Sequence, residues 1–172
     1  VRPTPDNKYL CAVDNGIDQV KLYRINKRQH KLGAFHHLPH GVANAILITD
    51  IMRYNIAEAP QKMGTFSQYP YPNALPRYCE CARFVGVTGD TDEEVFENFI
   101  VKIEELKARV GIKKTIRDYG VTEEDFLATL DEMCEQAFDD QCTGANPRYP
   151  LISEIKAMYL KAYYGKPVEI DE

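Results

Sequence analysis

Two helix-start signals of the same design set most of what this chain can fold into. Thr91 stands ahead of Asp92-Glu93-Glu94, and Thr122 stands ahead of Glu123-Glu124-Asp125. A threonine hydroxyl at such a position accepts one of the free backbone N–H groups of the first turn. Thr91 with Glu94 also makes a capping box, and the acids meet the positive end of the helix dipole. That role accounts for these carboxylates, so the acidic runs are helix starts rather than metal or general-acid sites. Behind the first signal, TDEEVFENFIVKIEELKARVG places Val95, Phe99, Ile103, Leu106 and Val110 on one stripe before Gly111 stops it. Behind the second come Phe126, Leu127, Leu130 and Ala137, until DDQCTGANPRYP breaks the pattern. LISEIKAMYLKAYY then forms a last helix, ended by Gly165 with Pro167 close behind.

The same grammar extends upstream. Pro39 suits the first turn of a helix, and VANAILITDIM after it is apolar on nearly every face, which predicts a buried helix in an all-α layer. Residues 60–76, with Pro60, Pro70, Pro72 and Pro76, predict an irregular connection. LPRYCECARFVG predicts a short helix ended by Gly86. Residues 1–29 have a different texture. Pro3 and Pro5 keep the start extended, VKLYRI (Val20 to Ile25) alternates loosely like a strand, and no firm helix is legible there. The expected organisation is therefore an irregular segment over 1–29, extended or disordered, followed by a helical domain over 30–172.

Bulk properties narrow the function classes. A chain of 172 residues is long enough for one domain with a sizeable core. A formal charge of −5 argues against a nucleic-acid partner, and Lys113-Lys114 reads as a solvated face. VANAILI is about a third of the length a membrane span needs, so no membrane partner is expected. Five cysteines (Cys11, Cys79, Cys81, Cys134, Cys142) without CxxC pairs suit a reducing compartment, and the expected location is cytoplasmic. There is no glycine-rich phosphate loop, no GxSxG elbow, no internal repeat and no nucleotide-binding βαβ unit.

All four histidines fall within HKLGAFHHLPHG: His30, His36, His37 and His40. Imidazole is the commonest transition-metal ligand, but ligands must converge from fixed directions. His36 and His40 have helical spacing, yet Pro39 disfavours helix at the residue before it. The local expectation is a helix ending near Gly33, a turn through Phe35–Leu38, and a new helix from Pro39 with His40 in its first turn. His30 lies one segment away, within reach of the same cleft. A metal or catalytic use of this cluster and ordinary loop histidines both fit the spacing, and a carboxylate from a distant segment would be needed to complete a metal site.

HKLGAFHHLPHGVANAILITDIMRYN resembles the metal-site segment of the iron-containing (group III) alcohol dehydrogenases. More narrowly, it is similar to the C-terminal alcohol dehydrogenase half of bifunctional aldehyde–alcohol dehydrogenases. TFSQYPYPNALPRYCECARFVG, GVTEEDFLATLDEMCEQAFDDQCTGANPRYPLISEIK and YYGK carry the likeness to about residue 166. The resemblance implies the all-α C-terminal metal-binding domain of a protein whose preceding α/β domain binds NAD. The intact protein would hold ferrous iron and NAD, reduce acetaldehyde to ethanol with NADH, and assemble as a homo-oligomer acting on a small alcohol or aldehyde.

Carried over by position, the resemblance makes His40 in Pro39-His40-Gly41 a metal ligand and His30 the neighbour linked to proton transfer. Cys142 would line the substrate pocket, while His36 and His37 would serve packing or rim polarity. Asn26 stands where the family has a further histidine ligand, and the family's upstream Asp and His have no counterpart in residues 1–29. The implied result is a partial dehydrogenase domain, inactive alone and holding neither iron nor NAD tightly. The alternative is a non-catalytic helical remnant or interaction module. A free-standing histidine-cluster metal binder would need all four rings to converge, which Pro39 makes awkward.

Overall fold

A computed structural model of the chain describes residues 2–3, 9–14, 19–24, 31–57, 74–140 and 142–168. They fall into two compact units, Val1–His30 and Lys31–Glu172. The first holds β1 (Arg2–Pro3), β2 (Tyr9–Asp14) and β3 (Gln19–Arg24) in an antiparallel sheet of order β1-β2-β3. Tyr9 pairs with Arg24 and Asp14 with Gln19, while Arg2 pairs with Cys11. The strand-like alternation of VKLYRI (20–25) overlaps β3, and extended backbone is one of the two forms expected for residues 1–29. The second strand, YLCAVD, is too short and too mixed in hydropathy to announce itself, and pairing with β3 supplies what local pattern does not.

The second unit is helical, with its described helices α1 (Lys31–His36), α2 (His40–Ile56), α3 (Ala74–Phe84), α4 (Asp92–Arg109), α5 (Glu123–Phe138) and α6 (Ile152–Tyr164). The Thr91 hydroxyl accepts from the Glu94 N–H, and the Thr122 hydroxyl from the Asp125 N–H. Glu94 reaches back to the N–H of Asp90, not Thr91, so the box closes one residue early. Gly86, Gly111 and Gly165 adopt positive φ just beyond α3, α4 and α6, the left-handed stop that L-residues resist. None of the described helices is long and apolar enough to cross a membrane. The irregular connection expected over 60–76 lies largely outside the described residues.

Two hydrophobic clusters form the interior of this unit. One gathers Leu32, Leu38, Ala43, Ile46, Ile116, Phe126, Leu130, Met133, Ile155, Tyr159 and Tyr163 from α1, α2, α5, α6 and the turns between. The other gathers Met52, Cys79, Ala82, Val87, Val95, Phe96 and Ile100 from α2, α3 and α4. Only α2 contributes buried residues to both.

Packing corrects three of the predicted faces. On α4 the buried residues are Val95, Phe96, Ile100 and Lys107, whereas Leu106 and Val110 are exposed. Leu127 on α5 is likewise exposed. On α2 one side is buried, through Ala43, Ile46, Thr49, Met52 and Asn55, and Ile48 and Ile51 face outward. Lys107 takes an inward position because its ammonium reaches the Glu104 carboxylate at 2.8 Å while its alkyl stem fills apolar space.

The turn between α1 and α2 also differs from expectation. The helix continues through Gly33 and ends at His36, and His37 takes the left-handed position at φ 56° with its N–H on the Gly33 carbonyl at 3.1 Å. That reversal brings Leu38 into the core ahead of Pro39.

Two stability predictions follow from this packing. Phe126 is fully enclosed and stacked on Tyr163 at a centroid distance of 4.3 Å. Phe126→Ala is expected to lower unfolding free energy by about 3–5 kcal/mol in urea titration, and a loss under about 1 kcal/mol would contradict the packing described. His37→Gly removes a strained Cβ and is expected to raise stability by roughly 1 kcal/mol, read from the thermal midpoint; a fall in midpoint would show that the turn is not strained.

Candidate functional site

His40 is the first residue of α2, directly after the cap residue Pro39, whose φ of −55° and ψ of 138° turn the chain into the helix. The Pro39 carbonyl accepts from the N–H groups of Val42 and Ala43, at 2.9 and 3.0 Å, so the first turn is tied down although Pro39 offers no side-chain cap. No acid lies in that first turn. The His40 side chain is exposed, and its Nε2 lies 3.0 Å from the side-chain amide nitrogen of Asn44, one turn further on.

The neighbouring histidines are placed differently. His36 is half-buried, with its ring 6.1 Å from that of Phe126 and its Nε2 3.0 Å from the Thr129 hydroxyl. Burial lowers its pKa below the usual histidine value, against the pull of the Asp125 carboxylate and with help from His37. It is a packed ring that tends to stay neutral. His37 is exposed on the left-handed turn. His30 and Asn26 lie outside the described residues.

Cys142 is exposed in the segment after α5, where its backbone N–H donates to the Asp140 carboxylate at 2.9 Å. Partial desolvation, and then the nearby Asp140 carboxylate, raise its thiol pKa. Near neutral pH it is a thiol and not a thiolate, suited to contact and not to nucleophilic attack. Its hydrogen-bond partner is Asp140, and among the described residues no contact joins it to His40.

The rest of that segment is clasped onto the far end of α2 by groups that sequence reading passed over. The Arg148 guanidinium donates to the Tyr54 carbonyl at 3.0 Å and to Glu154 at 2.9 Å, and lies 3.9 Å from the centroid of the Tyr54 ring. Asn146 donates to the Asn55 side chain at 2.8 Å, and Asn55 in turn donates to the Tyr78 hydroxyl at 3.1 Å. The signal was the polar Asn146-Pro147-Arg148 run opposite Tyr54-Asn55, both of which read locally as loop and helix end. Asn44 was missed too, although its i, i+4 spacing from His40 puts it in reach across one helical turn.

Among the described residues no group of three or more His, Cys, Asp or Glu side chains is arranged to hold a metal ion. They supply one expected ligand, His40, and no closed donor set. A divalent metal therefore does not fit the described residues by themselves, since one imidazole cannot define a coordination sphere.

Comparison with known proteins places this arrangement. The model of the C-terminal part of the Fe-containing alcohol dehydrogenase family matches residues 16–163, a range that opens ahead of α1. The chain is 52% identical over 139 residues to the bifunctional aldehyde-alcohol dehydrogenase AdhE of Escherichia coli K12, covering 80% of this chain and 16% of that protein. It is 46% identical over 137 residues to an aldehyde-alcohol dehydrogenase of Clostridium acetobutylicum, with the same two coverages. The chain thus spans 16% of the length of these curated relatives. It also resembles the solved iron-containing alcohol dehydrogenase of Thermococcus thioreducens, with a TM-score of 0.60 and 30% identity over 80% of this chain and 31% of that one. The chain belongs to the iron-containing alcohol dehydrogenase family and corresponds to its C-terminal helical part.

Proposed function

We propose that this chain is part of an alcohol dehydrogenase that reduces a small aldehyde, acetaldehyde in the first instance, to the alcohol with NADH. The observation that carries the reading is the placement of His40, held at the start of α2 by Pro39, in a segment that shares 52% identity with the E. coli aldehyde-alcohol dehydrogenase. In this reading His40 is a metal ligand, His30 serves proton transfer and Cys142 lines the substrate pocket. The raised thiol pKa of Cys142 agrees with a lining role, because it leaves a neutral side chain beside an uncharged substrate. Ferrous iron and NAD belong to the intact protein, a cytoplasmic homo-oligomer. Other segments must complete the metal site, since the described residues bring a single family ligand to it.

The reading predicts that purified residues 1–172 bind ferrous iron weakly and give no NAD-dependent ethanol oxidation; measurable turnover would contradict it. Grafted into the E. coli AdhE in place of the matching residues, residues 30–166 are expected to support aldehyde reduction. His40→Ala in that graft should lower kcat by at least about 100-fold, read from NADH consumption. A folded but inert graft would favour the non-catalytic helical remnant instead.

A further inference from the structure

Cys142 sits in a loop that the core does not hold. Between Phe138 and Pro150 none of the described residues is buried. The rings of Phe138 and Tyr149 meet edge to face at 5.6 Å and close the neck, as in a compact surface loop whose ends lie together. Within the loop the Thr143 hydroxyl donates to the Ala137 carbonyl at 2.5 Å, and the Asn146 N–H donates to the Thr143 carbonyl at 3.1 Å. The limb after Cys142 is tied to α2 through side chains. The Asn146 amide donates both to the Asn55 side chain at 2.8 Å and to the Arg148 carbonyl at 2.6 Å. Arg148 then donates from Nη1 to the Tyr54 carbonyl and from Nη2 to Glu154.

Arg148 answers three demands with one group. Tyr54 lies in the last turn of α2, where carbonyls lack partners within the helix and a cation is favoured. Glu154, in the first turn of α6, takes the second arm of the fork, and the Tyr54 ring takes its face at 3.9 Å. A lysine ammonium has no planar fork and cannot meet all three together. The helices themselves do not need the clasp. Ala43 and Ile46 of α2 share a cluster with Ile155 and Tyr159 of α6, and Asp50 pairs with Lys161 at 2.6 Å. What the guanidinium adds is a fixed path for the loop. We infer that Arg148 is a positioning residue for Cys142, holding the loop that carries it in one conformation.

The inference rests on the reading of Cys142 as pocket wall and deepens it. A wall contact is made alike with the bound substrate and with the transition state, so its loss raises KM and spares kcat.

The first arm of the test is ¹⁵N relaxation on the full chain. In the wild type the amides of Cys142, Thr143 and Asn146 are expected to show order parameters of about 0.85, those of rigid backbone. Arg148→Met should bring them below about 0.6, and Arg148→Lys should fall between, with Leu130 and Tyr159 unchanged. A role in global stability alone would lower the thermal midpoint and leave the native loop rigid. A loop whose order neither variant changes, or one already mobile in the wild type, overturns the inference. If Arg148→Met fails to fold, Arg148→Lys decides, since it keeps the charge and the alkyl stem.

The second arm uses the graft in E. coli AdhE. Arg148→Lys should raise KM for acetaldehyde about tenfold with kcat within about twofold, the scale of one apolar pocket contact. The rise should vanish in a Cys142→Ala background, because the two changes remove the same contact. A KM effect that adds in full to that of Cys142→Ala overturns the inference. A loop that loosens while neither substitution moves KM supports the anchoring by Arg148 and strikes the reading of Cys142 as pocket wall, so the two failures are distinguishable.

Discussion

α2 lies between two cores, and the helical unit depends on it. Ala43 and Ile46 face the cluster built with α1, α5 and α6, while Met52 faces the one built with α3 and α4. Each further turn adds a polar tie: Thr49 to Glu104 at 2.7 Å, Asp50 to Lys161 at 2.6 Å, Arg53 to Glu97 at 2.7 Å and Asn55 to Tyr78 at 3.1 Å. A helix of 17 residues is about 25 Å long, enough to reach across both clusters. His40 occupies the end where this helix begins. The position of the expected ligand is therefore set by core packing at one remove, and not by a loop.

Most of the polar groups around α2 are paired, with Arg53 Nη1 and Arg148 Nε the buried side-chain nitrogens that lack a hydrogen-bond partner among the described residues. Burial would raise the Glu104 carboxyl, but hydrogen bonds from Lys107 and Thr49, with the charges of Lys107 and Arg53, hold it below the usual range. Lys107 is buried and ion-paired with that carboxylate, so neither charge stands alone. At the other end, Arg148, Tyr54 and Glu154 join the segment after α5 to α2 and α6 through the cation–ring contact and three hydrogen bonds. These ties connect the Cys142 segment to the same helix that carries His40, which gives the two positions a common frame without direct contact.

What was legible in the sequence was local. Thr91, Thr122, Gly86, Gly111 and Gly165 marked helix ends correctly because capping and left-handed stops are decided by a few neighbouring residues. Which side of a helix meets the core is decided by partners elsewhere in the chain. Leu106 and Val110 extend the α4 stripe in hydropathy, yet Phe96 and Ile100 are the residues enclosed. Gly33 looked like a helix stop, but burial of Leu38 before Pro39 moves the reversal to His37. The candidate site divides the same way. Pro39-His40-Gly41 placed His40 at a helix start from three adjacent residues, whereas the Asn146–Asn55 and Arg148–Tyr54 contacts join positions more than ninety residues apart.

Native-state hydrogen exchange of the α2 amides tests the central claim most directly, that His40 is mounted on the helix both cores share. The Ala43 N–H, bonded to the Pro39 carbonyl at 3.0 Å, reports on the first turn, and the N–H groups of Ile46, Thr49 and Met52 report on the buried side. If the account holds, all four exchange slowly and together, in the most protected class of the helical unit. Fast exchange at Ala43 while Phe126, Leu130 and Tyr159 stay protected would contradict it, because the His40 end would then open independently of the core.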